Sequence, residues 1–164
     1  MKKYFAFLLF CCFASYAQNT DLDGRENIEK FIKAYFISEN PKFDIKNLPD
    51  YIYVNQTDYD TLTLEQKDIL FKYILILLEL EHKELQKSGF EYELVNHSEV
   101  NVDMLKDYRL VYDNLSSVYY IIVNQKILTH FILDIKGRII SFAPNVFGSH
   151  GGRIEPFMLD EFKD

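Results

Sequence analysis

The chain has 164 residues, with 18 Lys and Arg against 25 Asp and Glu and a formal net charge of −7. That balance supplies no basic patch to displace counterions from phosphates, so nucleic acid is not an expected partner. Aromatic residues are plentiful although Trp is absent, and a chain of this size buries enough surface for one domain.

The first residues, MKKYFAFLLFCCFASYAQ, place Lys2 and Lys3 ahead of an apolar run that ends in the small residues Ser15 and Ala17. This is the layout of a cleavable, bacterial-type export signal, too short to span a bilayer. Residues 1–17 are therefore expected to be removed after Ala17, delivering a periplasmic or secreted product that starts at Gln18. A lipid anchor at Cys11 or Cys12 is disfavoured because Phe10 and Cys11 stand where a lipoprotein signal needs small residues. The processed chain would have 147 residues, 16 basic against 25 acidic, and a net charge of −9. Both cysteines lie in the leader, so that product has no disulfide, no zinc-thiolate site and no cysteine nucleophile. After the leader no apolar run is long enough to span a membrane.

From Asp23 the sequence DGRENIEKFIKAYFISENP repeats apolar residues at Ile28, Phe31, Ile32, Tyr35 and Phe36, one face of a helix. Asp23 and Glu26 fit a capping box, and Asn40-Pro41 ends the segment. Residues 42–62 read as a loop with one short strand or helical turn. Thr63 and Gln66 form a second capping box for a long helix that Gly89 terminates. Between Ile69 and Leu78 only Lys72 is charged, which predicts a helix buried on most sides, the spine of the fold.

Beyond Gly89 the segments 90–97, 108–113, 117–124, 126–134 and 138–143 are short, β-branched and aromatic, separated by turn residues such as Asn124-Gln125 and Lys136-Gly137. Such close spacing predicts an antiparallel meander for the last three or four. The class is α+β: N-terminal helices packed on a curved antiparallel sheet of four to five strands, with residues 18–146 as one domain and 147–164 as a flexible or loosely docked tail. In order of elements, IEKFIKAYFI, a further helix and the strands YYIIV, KILTHFIL and GRIISF resemble the ketosteroid-isomerase-like superfamily. The resemblance implies a cone-shaped domain whose interior is an active site in some members and a binding or assembly surface in others. No catalytic residue carries over, because no motif of that superfamily stands in the sequence.

A two-residue turn at Asn124-Gln125 places Tyr119 opposite His130, and a loop ending at Gly137 brings Phe142 to the same row, bounded by Leu128, Ile132 and Ile140. The row has the outline of a pocket wall around a titratable ring. His130 there is either a neutral core histidine bonded to Tyr119 or a backbone carbonyl, or a general base with Tyr119 as its neighbour. The opposite face, with Val118, Tyr120, Ile122, Phe131, Leu133 and Ile139, is also apolar, which predicts a sheet covered on both sides.

The glycine-rich FGSHGGRIEPF near the C-terminus offers His150 and Arg153 as ligand-binding candidates. It lacks the nucleophile elbow of an esterase and the fixed offsets of a phosphate loop, so it reads as an exit from the last strand, with a ligand lid as the alternative. Glu79 and His82 give a single E-x-x-H step, better explained by a Glu79–Lys83 pair on a solvated helix. Asp58 and Asp60 lack the glycine and distal glutamate of a calcium loop. No cofactor or metal is called for.

The expected function is an exported non-catalytic module that binds a partner protein or a small apolar ligand, with dimerisation through an apolar sheet face compatible with it. Two alternatives stand beside it: a small pocket enzyme using His130 for proton transfer or hydrolysis, and an acidic inhibitor or immunity-type protein that neutralises a basic partner.

Overall fold

The computed structural model describes residues 24–38, 48, 50–53, 56–144 and 153–157. The first helix, α1, occupies residues 24–31 and continues as a π-helical turn at Ile32–Phe36. Ile28, Phe31, Ile32, Tyr35 and Phe36 are all buried, the face that their spacing dictates. The Ile37 N–H closes the wide turn on the Ile32 carbonyl at 3.0 Å. A helix end leaves carbonyls without intrahelical donors, and His82 supplies one, its Nδ1–H donating to the Phe36 oxygen at 2.7 Å. Asp23, Asn40 and Pro41 lie outside the described residues.

A short helix, α2 (Gln56–Thr61), lies in the stretch expected to be loop with one short strand or helical turn. It leads into α3 (Leu64–Lys87), whose N-terminus carries the expected capping box: Thr63 Oγ1 accepts from Gln66 N, and Gln66 Oε1 accepts from Thr63 N. At the other end Gly89 takes φ 68°, its N–H bonds the Gln86 carbonyl, and Phe90 N–H bonds the Leu85 carbonyl. This is a Schellman closure, and it needs a residue tolerant of the left-handed region.

The long helix is not the enclosed spine that its composition predicts. Leu70, Ile74, Leu77, Leu78, Glu81 and Leu85 face the core, whereas Ile69 is 59% exposed, Ile76 53% and Leu80 45%. One layer of sheet and one neighbouring helix cover only one side of a cylinder, so a helix apolar all round keeps an apolar side in water.

The strands are β1 (Glu93–Asn96), β2 (Arg109–Leu110), β3 (Val118–Val123), β4 (Lys126–Leu133), β5 (Ile139–Ser141) and β6 (Arg153–Ile154). A four-stranded antiparallel sheet runs in the order β1-β3-β4-β5, so the fold class is α+β as expected. The segment around 108–113 does not join it. A helix, α4 (Val102–Asp107), capped by Asn101 on the Asp103 N–H at 2.9 Å, lifts the chain off the sheet, and β2 pairs in parallel with β6. Residues 153–157, assigned by sequence to the tail, thus contribute a strand and the buried Phe157, whose N–H bonds the Ala143 carbonyl at 2.9 Å.

Asn124 and Gln125 make the two-residue turn between β3 and β4 with φ 49° and 61°, the conformation whose twist matches a hairpin. Pairing then follows the expected register for Val123–Lys126 and Ile122–Ile127 only. Leu128 is an extra residue, a β-bulge, and beyond it Ile121 meets Thr129, Tyr120 meets His130 and Tyr119 meets Phe131. A second irregularity at Ile140 separates the Leu133–Ile139 and Ile132–Ser141 pairs.

Both faces of the sheet are covered. Tyr119, Ile121, Phe131, Leu133, Ile139 and Phe142 pack against α1 and α3, while Val118, Tyr120, Ile122, Ile132 and Ile140 pack with Val100 and Tyr108 on the other side. Among the described residues no helix is long and apolar enough to cross a membrane.

Candidate functional site

The row Tyr119–His130–Phe142 does not exist, because a single bulged residue moves every later side chain of β4 to the opposite face. Tyr119 and Phe142 belong to the helix-side core. His130 points the other way, in register with Tyr120, and its solvent exposure is 0%. Its partner is Tyr108, placed at the end of α4, where its N–H closes the helix on the Met104 carbonyl. The Tyr108 hydroxyl lies 2.7 Å from His130 Nδ1, and Ser141 Oγ lies 3.5 Å from Nε2.

Proton positions follow from the ends of this chain. Ser141 Oγ donates to the Ala143 carbonyl at 3.4 Å, so its lone pairs accept from Nε2–H, and Nδ1 accepts from the Tyr108 hydroxyl. Burial holds that phenol well above its usual range and depresses the imidazole to about 3. The ring is neutral throughout the physiological range. Alongside, Tyr120 bonds His97 Nδ1 at 3.0 Å, and burial pushes its phenol up to about 12. Among the described residues every buried side-chain nitrogen and oxygen has a partner. This is a satisfied polar seam that fastens the α4 segment onto the sheet, with the His130 ring closed to solvent.

Across β4 sits a buried carboxyl absent from the sequence-derived candidates. Glu81 takes a core-facing position on α3 and hydrogen-bonds Thr129, the residue that the bulge turns toward the helices. Burial pushes its pKa up to about 8, against which the Thr129 bond acts in part. The Thr129 hydroxyl also lies 3.3 Å from the Phe142 carbonyl, so its single proton has two acceptors, that carbonyl and the Glu81 carboxylate.

Of the remaining candidates, Arg153 is an exposed residue of β6 paired with Arg109, and His150 lies outside the described residues with the rest of the glycine-rich loop. Glu79 pairs with Lys83 at 3.5 Å, as an i,i+4 spacing allows. A small polar recess of about 190 Å³ holds Asn114, Ser116, Tyr119 and Asp134. Asp134 is already engaged, its carboxylate bound by the Arg138 guanidinium and two backbone N–H groups that hold it below the usual carboxylate range.

The open concavity of consequence is apolar. A groove of about 470 Å³ runs along the exposed side of α3, lined by Leu62, Ile69, Tyr73, Ile76 and Phe157, with Gln66 and Lys72 at its margins. Tyr73 and Phe157 meet edge to face at 4.8 Å and make one wall. The alternating spacing of Leu62, Gln66, Ile69, Tyr73, Ile76 and Leu80 was a legible signal, hidden because a second apolar stripe, the buried one, runs beside it on the same helix.

The chain matches no protein-family model, no curated protein and no solved structure.

Proposed function

We propose that the protein is an exported, non-catalytic binding module whose working surface is the exposed side of α3, which takes an apolar face of a partner protein or a small apolar ligand. The groove of about 470 Å³ carries the reading: isoleucines 59% and 53% exposed flank an aromatic wall, a combination that costs solubility unless something covers it. Polar groups at the rim and an apolar floor are the anatomy of a recognition surface. The sealed, neutral imidazole of His130 favours binding over acid–base chemistry. The leader of residues 1–17 supports export, and the element order supports a distant kinship with the ketosteroid-isomerase-like superfamily, in which assembly is one of the uses of the domain.

An apolar fluorescent probe of the anilinonaphthalene type tests the surface. The native protein is expected to enhance its emission at low micromolar concentration, and Ile76→Lys, a substitution at an exposed position, is expected to remove most of that signal with the thermal midpoint little changed. Equal emission from the two proteins would place the probe elsewhere and sink the reading. Export is checked separately: the intact mass of protein recovered outside the cytoplasm is expected to correspond to a chain starting at Gln18. A mass retaining residues 1–17 would contradict it.

A further inference from the structure

The groove has a property that a ligand site does not need. Along α3, Gln66, Ile69, Tyr73, Ile76 and Leu80 recur at alternating steps of three and four, the 3.5-residue period that lets two helices keep a common seam. The apolar members of that seam on α3 are exposed or half-buried in the single chain, and its opposite side is already packed on the core.

We propose that the exposed face of α3 is an interface between two copies of this chain, with the two helices antiparallel about a two-fold axis near residues 74 and 75. This deepens the binding reading above and rests on it, and charge decides the direction. In the antiparallel arrangement Ile69 stacks on Leu80 of the second copy and Tyr73 on its Ile76, twice over by symmetry. The same alignment brings Lys72 beside Glu79 of the second copy twice along one edge of the seam, and sets Gln66 against its Lys83 where the apolar seam stops. A parallel arrangement instead puts Glu79 next to Glu84 of the second copy and Lys72 over the buried side of Leu77, a like-charge contact with no compensating pair. Lys72 and Glu79 are both well exposed, and among the described residues each pairs with a neighbour on its own helix, Asp68 and Lys83 respectively, in surface contacts weak enough for either to turn across the seam. A two-fold contact is self-complementary and closes, which caps the apolar stripe without leaving a growing end. The helix is 24 residues, roughly 36 Å, long enough for three heptads of contact.

The test combines mass with geometry. Sedimentation of the full chain is expected to show a shift from monomer to dimer within about 1–100 µM, the range of a small to standard interface. Ile76→Lys is expected to weaken the dimer at least tenfold. In a background of Cys11→Ser and Cys12→Ser, oxidising a mixture of Lys72→Cys and Glu79→Cys chains is expected to give the mixed disulfide in clear excess over either homodisulfide. A monomer up to 200 µM, or a dimer whose cross-links are mainly homodisulfides, overturns the proposal. A monomer that still binds the apolar probe through Ile76 leaves the binding reading standing and removes only the second copy as its partner, whereas a monomer that binds no probe removes both.

Discussion

Phe31→Ala is expected to cost about 3–5 kcal/mol of stability, a large part of what a domain of this size possesses. The ring is fully buried and touches Tyr35, Phe36, Tyr51, Phe131 and Phe142 with centroids 5.0–6.2 Å apart, most of them edge-on or tilted as the ring quadrupoles prefer. It joins α1 to β4 and to the segment after β5, so the cavity left by alanine opens between three parts of the chain that cannot close on it together. Urea titration at constant pH is the measurement, with the midpoint falling and the slope unchanged. Phe31→Leu, which keeps most of the volume, is expected to lose under about 2 kcal/mol. A loss below about 1 kcal/mol for the alanine variant would show that the aromatic cluster is not the centre of the core.

The second expectation is a stability profile with a plateau at mildly acidic pH, set by two buried groups shifted in opposite directions. Glu81 has a folded-state pKa of about 8 against an ordinary 4.5, and His130 one of about 3 against 6.5. A raised pKa gives stability that is complete below 4.5 and lost as pH rises toward 8, because the unfolded chain releases a proton that the folded chain keeps. A depressed pKa gives stability that is complete above 6.5 and lost as pH falls toward 3, because the unfolded chain takes up a proton that the folded chain refuses. Between pH 4.5 and 6.5 the two slopes cancel. From 6.5 to 8 Glu81 acts alone, and from 4.5 to 3 His130 acts alone, each limb losing roughly 2 kcal/mol at 1.36 kcal/mol per pH unit. Asp134, held low by Arg138, steepens the acid limb further below its ordinary 3.8. Glu81→Gln is expected to flatten the alkaline limb and extend the acid one up to pH 6.5, and His130→Gln to flatten the acid limb and extend the alkaline one down to pH 4.5. Slopes are compared, so an overall loss of stability in either variant does not blur the result. An alkaline limb that survives Glu81→Gln would mean that this carboxyl is ionised and solvated in the native protein.

Much of this fold was written in short-range signals. The Thr63–Gln66 capping box, the Gly89 closure and the Asn124-Gln125 turn each depend on hydrogen bonds and backbone angles within a few residues, and each stands where the sequence places it. The same holds for the buried face of α1, where five apolar residues at helical spacing leave a single side to bury. Export, read from residues 1–17, rests on the sequence alone.

The candidate site was not legible in that way. Which face of β4 carries His130 depends on one bulged residue, Leu128, and nothing local marks it, since Leu fits a paired position as well as an unpaired one. The partner, Tyr108, arrives from 22 residues away, lifted into place by a helix too short to announce itself by periodicity. Likewise the run from Ile69 to Leu78 in α3 is apolar nearly all round, and only the packing of one sheet and one helix against it decides which side is buried and which is left for another molecule. Local chemistry fixes where elements begin and end. Faces, partners and exposure are sums over contacts distant in sequence, and the tertiary structure alone evaluates them.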